Sequence, residues 1–162
     1  MKQPAYYRLI NGNSTDVKSM SLCIKEMNVG DKVTFIADKG FFSAQNIELL
    51  EEEKLSYIIP VQRNNSLIDF SPLQQNDFKK QMQYFIFQDR VIWYYSYQRE
   101  GYQLTTFLDE KLRLSEEQDY LSRIETHPEN YSKEKFDEKL HRFGTMTVVH
   151  RLENPQIRRF IR

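Results

Sequence analysis

The sequence predicts an α/β fold in which strand, helix, strand, helix and strand follow one another, with a β-rich and helical stretch after them. Three observations predict it. Residues 33–36 and 55–61 are short apolar runs rich in β-branched and aromatic residues. Apolar side chains recur at helical spacing between the strands, at Val17, Met20, Ile24 and Met27, and at Ala44, Ile47 and Leu50. From Tyr84 to Leu108, β-prone runs alternate with tight turn clusters. Alternating elements with short connections favour parallel strands and right-handed crossovers.

Residues 6–10 read as a strand after Pro4, stopped by Asn11-Gly12-Asn13, which tolerate positive φ. Ser14, Thr15 and Asp16 offer oxygens to the free N–H groups of a helix start. The helix ends at Asn28-Val29-Gly30-Asp31, and residues 33–36 form a buried strand running into Asp38-Lys39-Gly40-Phe41. Ser43 caps a second helix whose stripe is Ala44, Ile47, Leu50 and Lys54, and residues 55–61 form another buried strand that stops at or just past Pro60. Arg63-Asn64-Asn65-Ser66 is a polar break, and to about Gln81 the pattern suits a loop with a short helix. Strands at 84–87, 91–97 and 102–108, with turns near Asp89 and Gly101, make an antiparallel meander. Residues 115–124 and 132–142 read as helices, the second capped by Ser132 and closed by Gly144. Residues 145–151 are a last strand, and Asn154-Pro155 begins another helix.

Composition narrows the function. A chain of 162 residues suits one domain with room for an insertion. Its net charge of +0 supplies no global field toward nucleic acid or membrane, so any such contact rests on a local patch. The single Cys23 excludes an intramolecular disulfide framework and a cysteine-rich metal site, and fits a reducing, intracellular setting. No run approaches the roughly 18 apolar residues of a membrane span, and no apolar leader opens the chain. A soluble protein is expected.

The sequence holds no Gly-rich phosphate loop, no His/Cys metal spacing and no nucleophile elbow. His127, His141 and His150 read as surface or structural residues. Carboxylates remain. Asp38 stands just beyond the end of an apolar strand, where open α/β sheets collect functional groups, and a carboxylate suits Mg²⁺ or Mn²⁺. The same position also suits an Asp that only caps the strand exit, with Gly40 making the turn.

Taken together, residues 6–16, the run 33–41 with Asp38-Lys39-Gly40-Phe41, and Tyr57-Ile58-Ile59-Pro60 resemble the catalytic domain of DDE transposases of the IS4/IS1634 group, bacterial and archaeal insertion-sequence enzymes. In that group a Gly-Asn turn precedes a helix, and the second catalytic Asp ends a strand in an Asp-Lys/Arg-Gly-Phe/Tyr motif. Residues 101–108 with the acidic segment after them, and Phe143-Gly144-Thr145, are more loosely similar to the region these enzymes insert before their last catalytic helix. The resemblance implies a partial ribonuclease-H-like core over 1–62, an insertion region over 63–150, and over 151–162 the start of a segment leading to that helix. It implies that Asp38 binds Mg²⁺ or Mn²⁺ and helps activate water or a DNA 3′-hydroxyl for in-line attack on a phosphodiester. Double-stranded DNA, as transposon ends and target, is the implied partner. A homodimer is an option for the full-length protein, no membrane is involved, and the implied location is the bacterial or archaeal cytoplasm at the nucleoid.

The departures set a further expectation. The family's first Asp belongs on a strand upstream of Tyr6, and its Glu sits in a Tyr-x2-Arg-x3-Glu-x6-Lys pattern that this sequence lacks. The chain is therefore expected to be a transposase fragment, inactive alone. The alternative is a non-catalytic DNA- or protein-binding remnant of a mobile element. Lys39 is a candidate phosphate contact or an ordinary surface lysine; Asp16 reads as a helix cap. Trp93 is a candidate for stacking on a DNA base or a core residue. Arg142, Arg151, Arg158, Arg159 and Arg162 form a basic C-terminal patch that suits phosphates or simply a solvated face. Among them Arg151, Arg158 and Arg159 are the DNA-binding candidates.

Overall fold

Strand β1, Thr34–Ile36, is the first element of the computed structural model, which describes residues 34–152. Helix α1, Ala44–Glu52, carries the chain to β2, Ser56–Val61, which lies parallel to β1 with Ile36 beside Ile58. Ser43 caps α1, its hydroxyl accepting the Asn46 N–H at 3.1 Å. Ile47 and Leu50 are buried against Tyr57, Ile59 and Val61, so the expected crossover is present. Two local expectations need correction. β1 is an edge strand of the described sheet and is not buried: Thr34 and Phe35 are half-covered, and Ile36 is 62% exposed. The stripe of α1 is also rotated. Ala44 is exposed and Lys54 lies past the helix at φ 53°, whereas Asn46 is buried because its Nδ2–H bonds the Phe41 carbonyl at 2.7 Å.

After β2, a 3-10 turn at Ser71–Gln74 and the short helix α2, Phe78–Gln81, precede β3 (Gln83–Phe87), β4 (Arg90–Arg99) and β5 (Tyr102–Asp109). Each hairpin turns on two residues at positive φ, Gln88-Asp89 and Glu100-Gly101, the primed geometry that matches strand twist. Helix α3, Glu110–Thr126, starts earlier than Ser115 because Asp109 caps it, accepting the N–H groups of Lys111 and Leu112 at 3.0 and 3.2 Å. Helix α4, Lys133–Lys139, is capped by Ser132 and followed by a 3-10 turn at Leu140–Arg142. Gly144 does not close that helix. Phe143 is already extended, and Gly144 at φ 68° leads into β6, Thr145–Arg151. A Cβ there would stand 2.5 Å from the Asp109 carbonyl and 2.7 Å from the Arg113 nitrogen.

The described strands make one sheet in the order β1-β2-β6-β5-β4-β3, antiparallel except for β1 against β2. Strands on both sides of residue 62 therefore share hydrogen bonds, β2 pairing with β6 from Tyr57–Arg151 to Val61–Thr147. The register sorts side chains onto two faces. On one, Tyr57, Ile59, Val149, Leu108 and Trp93 meet α1 and the 63–82 segment. The other is lined by strand residues: Ile92, Phe107 and Val148, with Ile58, Phe85, Phe87 and Tyr94 around them. The expected strand at 6–10, the helix with Cys23, and the segment from Asn154 lie outside the described residues, as do Asp16, Arg158, Arg159 and Arg162.

Candidate active site and nucleic-acid groove

A groove of about 910 Å³ crosses the strand-lined face at one end of the sheet. Pro60 of β2, Met146 of β6, Phe107 and Asp109 of β5, Arg90 and Ile92 of β4 and Phe87 of β3 line it, and all fall on the same face by register. This is the end where the parallel strands β1 and β2 both finish. Asp38 and Lys39, directly after β1, close one side of it. Ligand groups collect at that position in parallel sheets because loops leave the strand ends there with free backbone and side-chain donors.

Asp38 is exposed, and its Oδ1 accepts the Lys39 N–H at 2.6 Å, capping a 3-10 turn over Lys39–Phe41. Asn46 holds that turn from the far side through the Phe41 carbonyl, so the buried amide in α1 fixes the segment presenting the carboxylate. Asp38 thus caps the turn and lines the groove. Among the described residues no three His, Cys, Asp or Glu side chains converge. The described chain fits Mg²⁺ or Mn²⁺ through one oxygen donor, Asp38, and supplies no complete ligand set.

Two ion pairs brace the rest of the groove. Arg90 Nη1 donates to Asp109 Oδ2 at 2.6 Å, with the Asp109 side chain only 12% exposed, and the guanidinium stands 5.9 Å from the Phe87 ring centre. Arg63 donates through Nη1 and Nη2 to both Glu116 oxygens at 2.9 and 3.0 Å, and through Nε to the Thr145 carbonyl at 2.7 Å. Glu116 Oε2 also accepts the Gly144 N–H at 2.8 Å. This clasp ties the exit of β2 to the start of β6 and to α3.

Comparison with known families decides what this arrangement belongs to: a model of the transposase DDE domain matches residues 1–144. The chain belongs to the transposase DDE-domain family. No curated protein and no solved structure gives a significant match. DDE transposase domains act on DNA and generally use divalent metal ions, and the exposed Asp38 at a strand end is compatible with that chemistry.

Within this DDE domain the other sequence candidates are dispersed. Lys39 is exposed, lines the groove beside Asp38, and makes no ion pair among the described residues. Trp93 points to the opposite face, half-buried against Leu73, Met82 and Leu108, and donates its indole N–H to Glu110 Oε2 at 3.0 Å. Burial pushes the Glu110 carboxyl up, but hydrogen bonds from Lys79 and Trp93 outweigh it and hold the group below its usual range. Arg151 ends β6 at the other end of the sheet, paired with Glu51 beside Tyr57. The structure therefore brings Asp38 and Lys39 together, and neither Trp93 nor Arg151 joins them. Arg63, Arg90 and Asp109 line the groove without having stood out in the sequence. The Asp109-Glu110 start of an amphipathic run is a cap signal for one of them; Arg63 and Arg90 carry no local signal, because their partners are distant in sequence. No described helix is long and apolar enough to cross a membrane.

Proposed function

We propose that this chain is the central part of a DDE transposase catalytic domain of the IS4/IS1634 type, with Asp38 as the second metal-binding carboxylate. The observation carrying the proposal is that Asp38 is exposed at the shared end of parallel strands, lining a groove, in a chain of the transposase DDE-domain family. The strand-helix-strand over 34–61 supports a ribonuclease-H-like core, and the strands after it read as an insertion that extends the same sheet. A bound Mg²⁺ or Mn²⁺ would supply Lewis acidity and an activated water or 3′-hydroxyl for phosphodiester attack. The chain's own residues do the placing. Asp38 would offer the oxygen donor, the Asn46 bond keeps its turn fixed, and Lys39, exposed beside it in the groove, would meet a DNA phosphate.

One acid does not make the site, so the 162-residue chain by itself is proposed not to cut or join DNA, and its partners are transposon-end and target DNA in the nucleoid, with a homodimer for the full-length protein. The absence of a three-acid cluster among the described residues favours a second reading, a DNA- or protein-binding remnant without catalysis. Incubation of the chain with end-sequence duplex and Mn²⁺ tests the first. No cleavage is expected; cleavage lost in Asp38→Ala would contradict inactivity, and cleavage that ignores Asp38→Ala would contradict the site.

A further inference from the structure

The groove that begins at Asp38 ends at a cation the family match does not assign. We propose that Arg90 is a DNA-phosphate contact, held in place by Asp109, and that the duplex lies across the sheet from Asp38 to the β3–β4 turn. The inference rests on the proposed function and assigns the track of its substrate.

Several features of Arg90 fit an anion site better than a plain structural pair. It stands on the groove-lining face, with its side chain 32% exposed. Asp109 takes one of its donors, Nη1, and guanidinium has five. The Phe87 ring lies against it, limiting rotamer loss on binding. Asp109 is committed on its other oxygen to the α3 backbone, so it works as a rigid bracket for Arg90 rather than a mobile competitor. The other groove arginine, Arg63, spends three donors on Glu116 and Thr145 and is a strut. Between Asp38 and Arg90 the floor is Pro60, Met146, Phe107 and Ile92, which carry no charge to repel a phosphodiester.

Spacing gives the site a predicted place on DNA. β4 is four strands from β1 in the sheet order, roughly 19 Å at about 4.8 Å per strand. At 3.4 Å per base step on one strand, that is about five or six steps from a phosphate at Asp38.

Fluorescence anisotropy of the whole chain with a labelled random-sequence duplex, at a series of salt concentrations, tests this. Arg90→Ala is expected to weaken binding about five- to tenfold and lower the salt slope by about one, while Arg90→Lys keeps the slope. Arg99→Ala, a cation at the opposite hairpin, is expected to leave affinity within about twofold. If Arg90→Ala does not fold, Arg90→Gln, which can still bond Asp109, replaces it. Unchanged affinity in the Arg90 variants, or an equal loss in Arg99→Ala, overturns the inference and leaves the Asp38 site standing. Failure of the wild-type chain to bind the duplex overturns it too, and the Mn²⁺ response of Asp38 then judges the proposed function separately.

Discussion

The chain around Asp38 asks little of its carboxylate beyond capping one short turn, which suits the proposed role of cation ligand. Asp38→Asn keeps an acceptor for the Lys39 N–H, so its stability, read by thermal unfolding, should match wild type to within about 0.5 kcal/mol. Gly144 is the opposite case. Its positive φ and the crowding of Asp109 and Arg113 leave no room for a side chain, and Gly144→Ala should cost at least about 2 kcal/mol in urea unfolding. His150 connects burial to pH. It is 7% exposed, its Nε2 meets the Thr105 hydroxyl at 2.9 Å, and desolvation holds its pKa below the ordinary 6.5. Protons then bind the unfolded chain first. Stability should be full above 6.5 and fall as pH drops from there through the lower folded value, and His150→Gln should flatten the urea midpoint against pH in that window. Burial and Arg142 lower His141 with the same sign, so the single variant removes only part of the slope.

At the scale of elements, the β3–β4 turn carries Gln88 and Asp89 at positive φ, where Asn-Gly is the favoured pair. Replacing them with Asn-Gly should raise stability by about 0.5–1 kcal/mol, read by thermal unfolding. Asp109 joins β5 to α3 as cap and ion-pair partner. Asp109→Ala should cost about 2–4 kcal/mol and Asp109→Asn clearly less, because Asn still caps. These elements also mark how much the sequence could tell. Ser43 and Ser132 announced their helices through local side-chain-to-backbone bonds, and the meander followed from alternation and two short turns. The start of α3 was misplaced because its first turn, Glu110 to Arg113, is mostly charged and hides a cap standing at a strand end. The rotation of α1 was hidden because Asn46 is buried by a bond to Phe41, a contact no hydrophobic pattern records. The place of Asp38 at the groove was legible from its position after β1, whereas Arg63 and Arg90 are held at the groove through the sequence-distant Glu116 and Asp109.

On the scale of the whole molecule, β2 and β6 make the described chain one sheet, so the groove runs from the candidate catalytic acid to the far hairpin without a break in the strand floor. Membership of the transposase DDE-domain family points to work on DNA, and the proposal adds that the exposed Asp38 at the strand ends holds the metal ion for it. The central claim is that Asp38 holds the cation. Amide spectra of the labelled chain titrated with Mn²⁺ test it most directly, since the ion broadens signals only near where it sits. The account predicts broadening centred on Lys39 and Gly40, reaching Gln62 and Arg63 across the groove, and its loss in Asp38→Asn. Broadening centred elsewhere, or unchanged in Asp38→Asn, would contradict it.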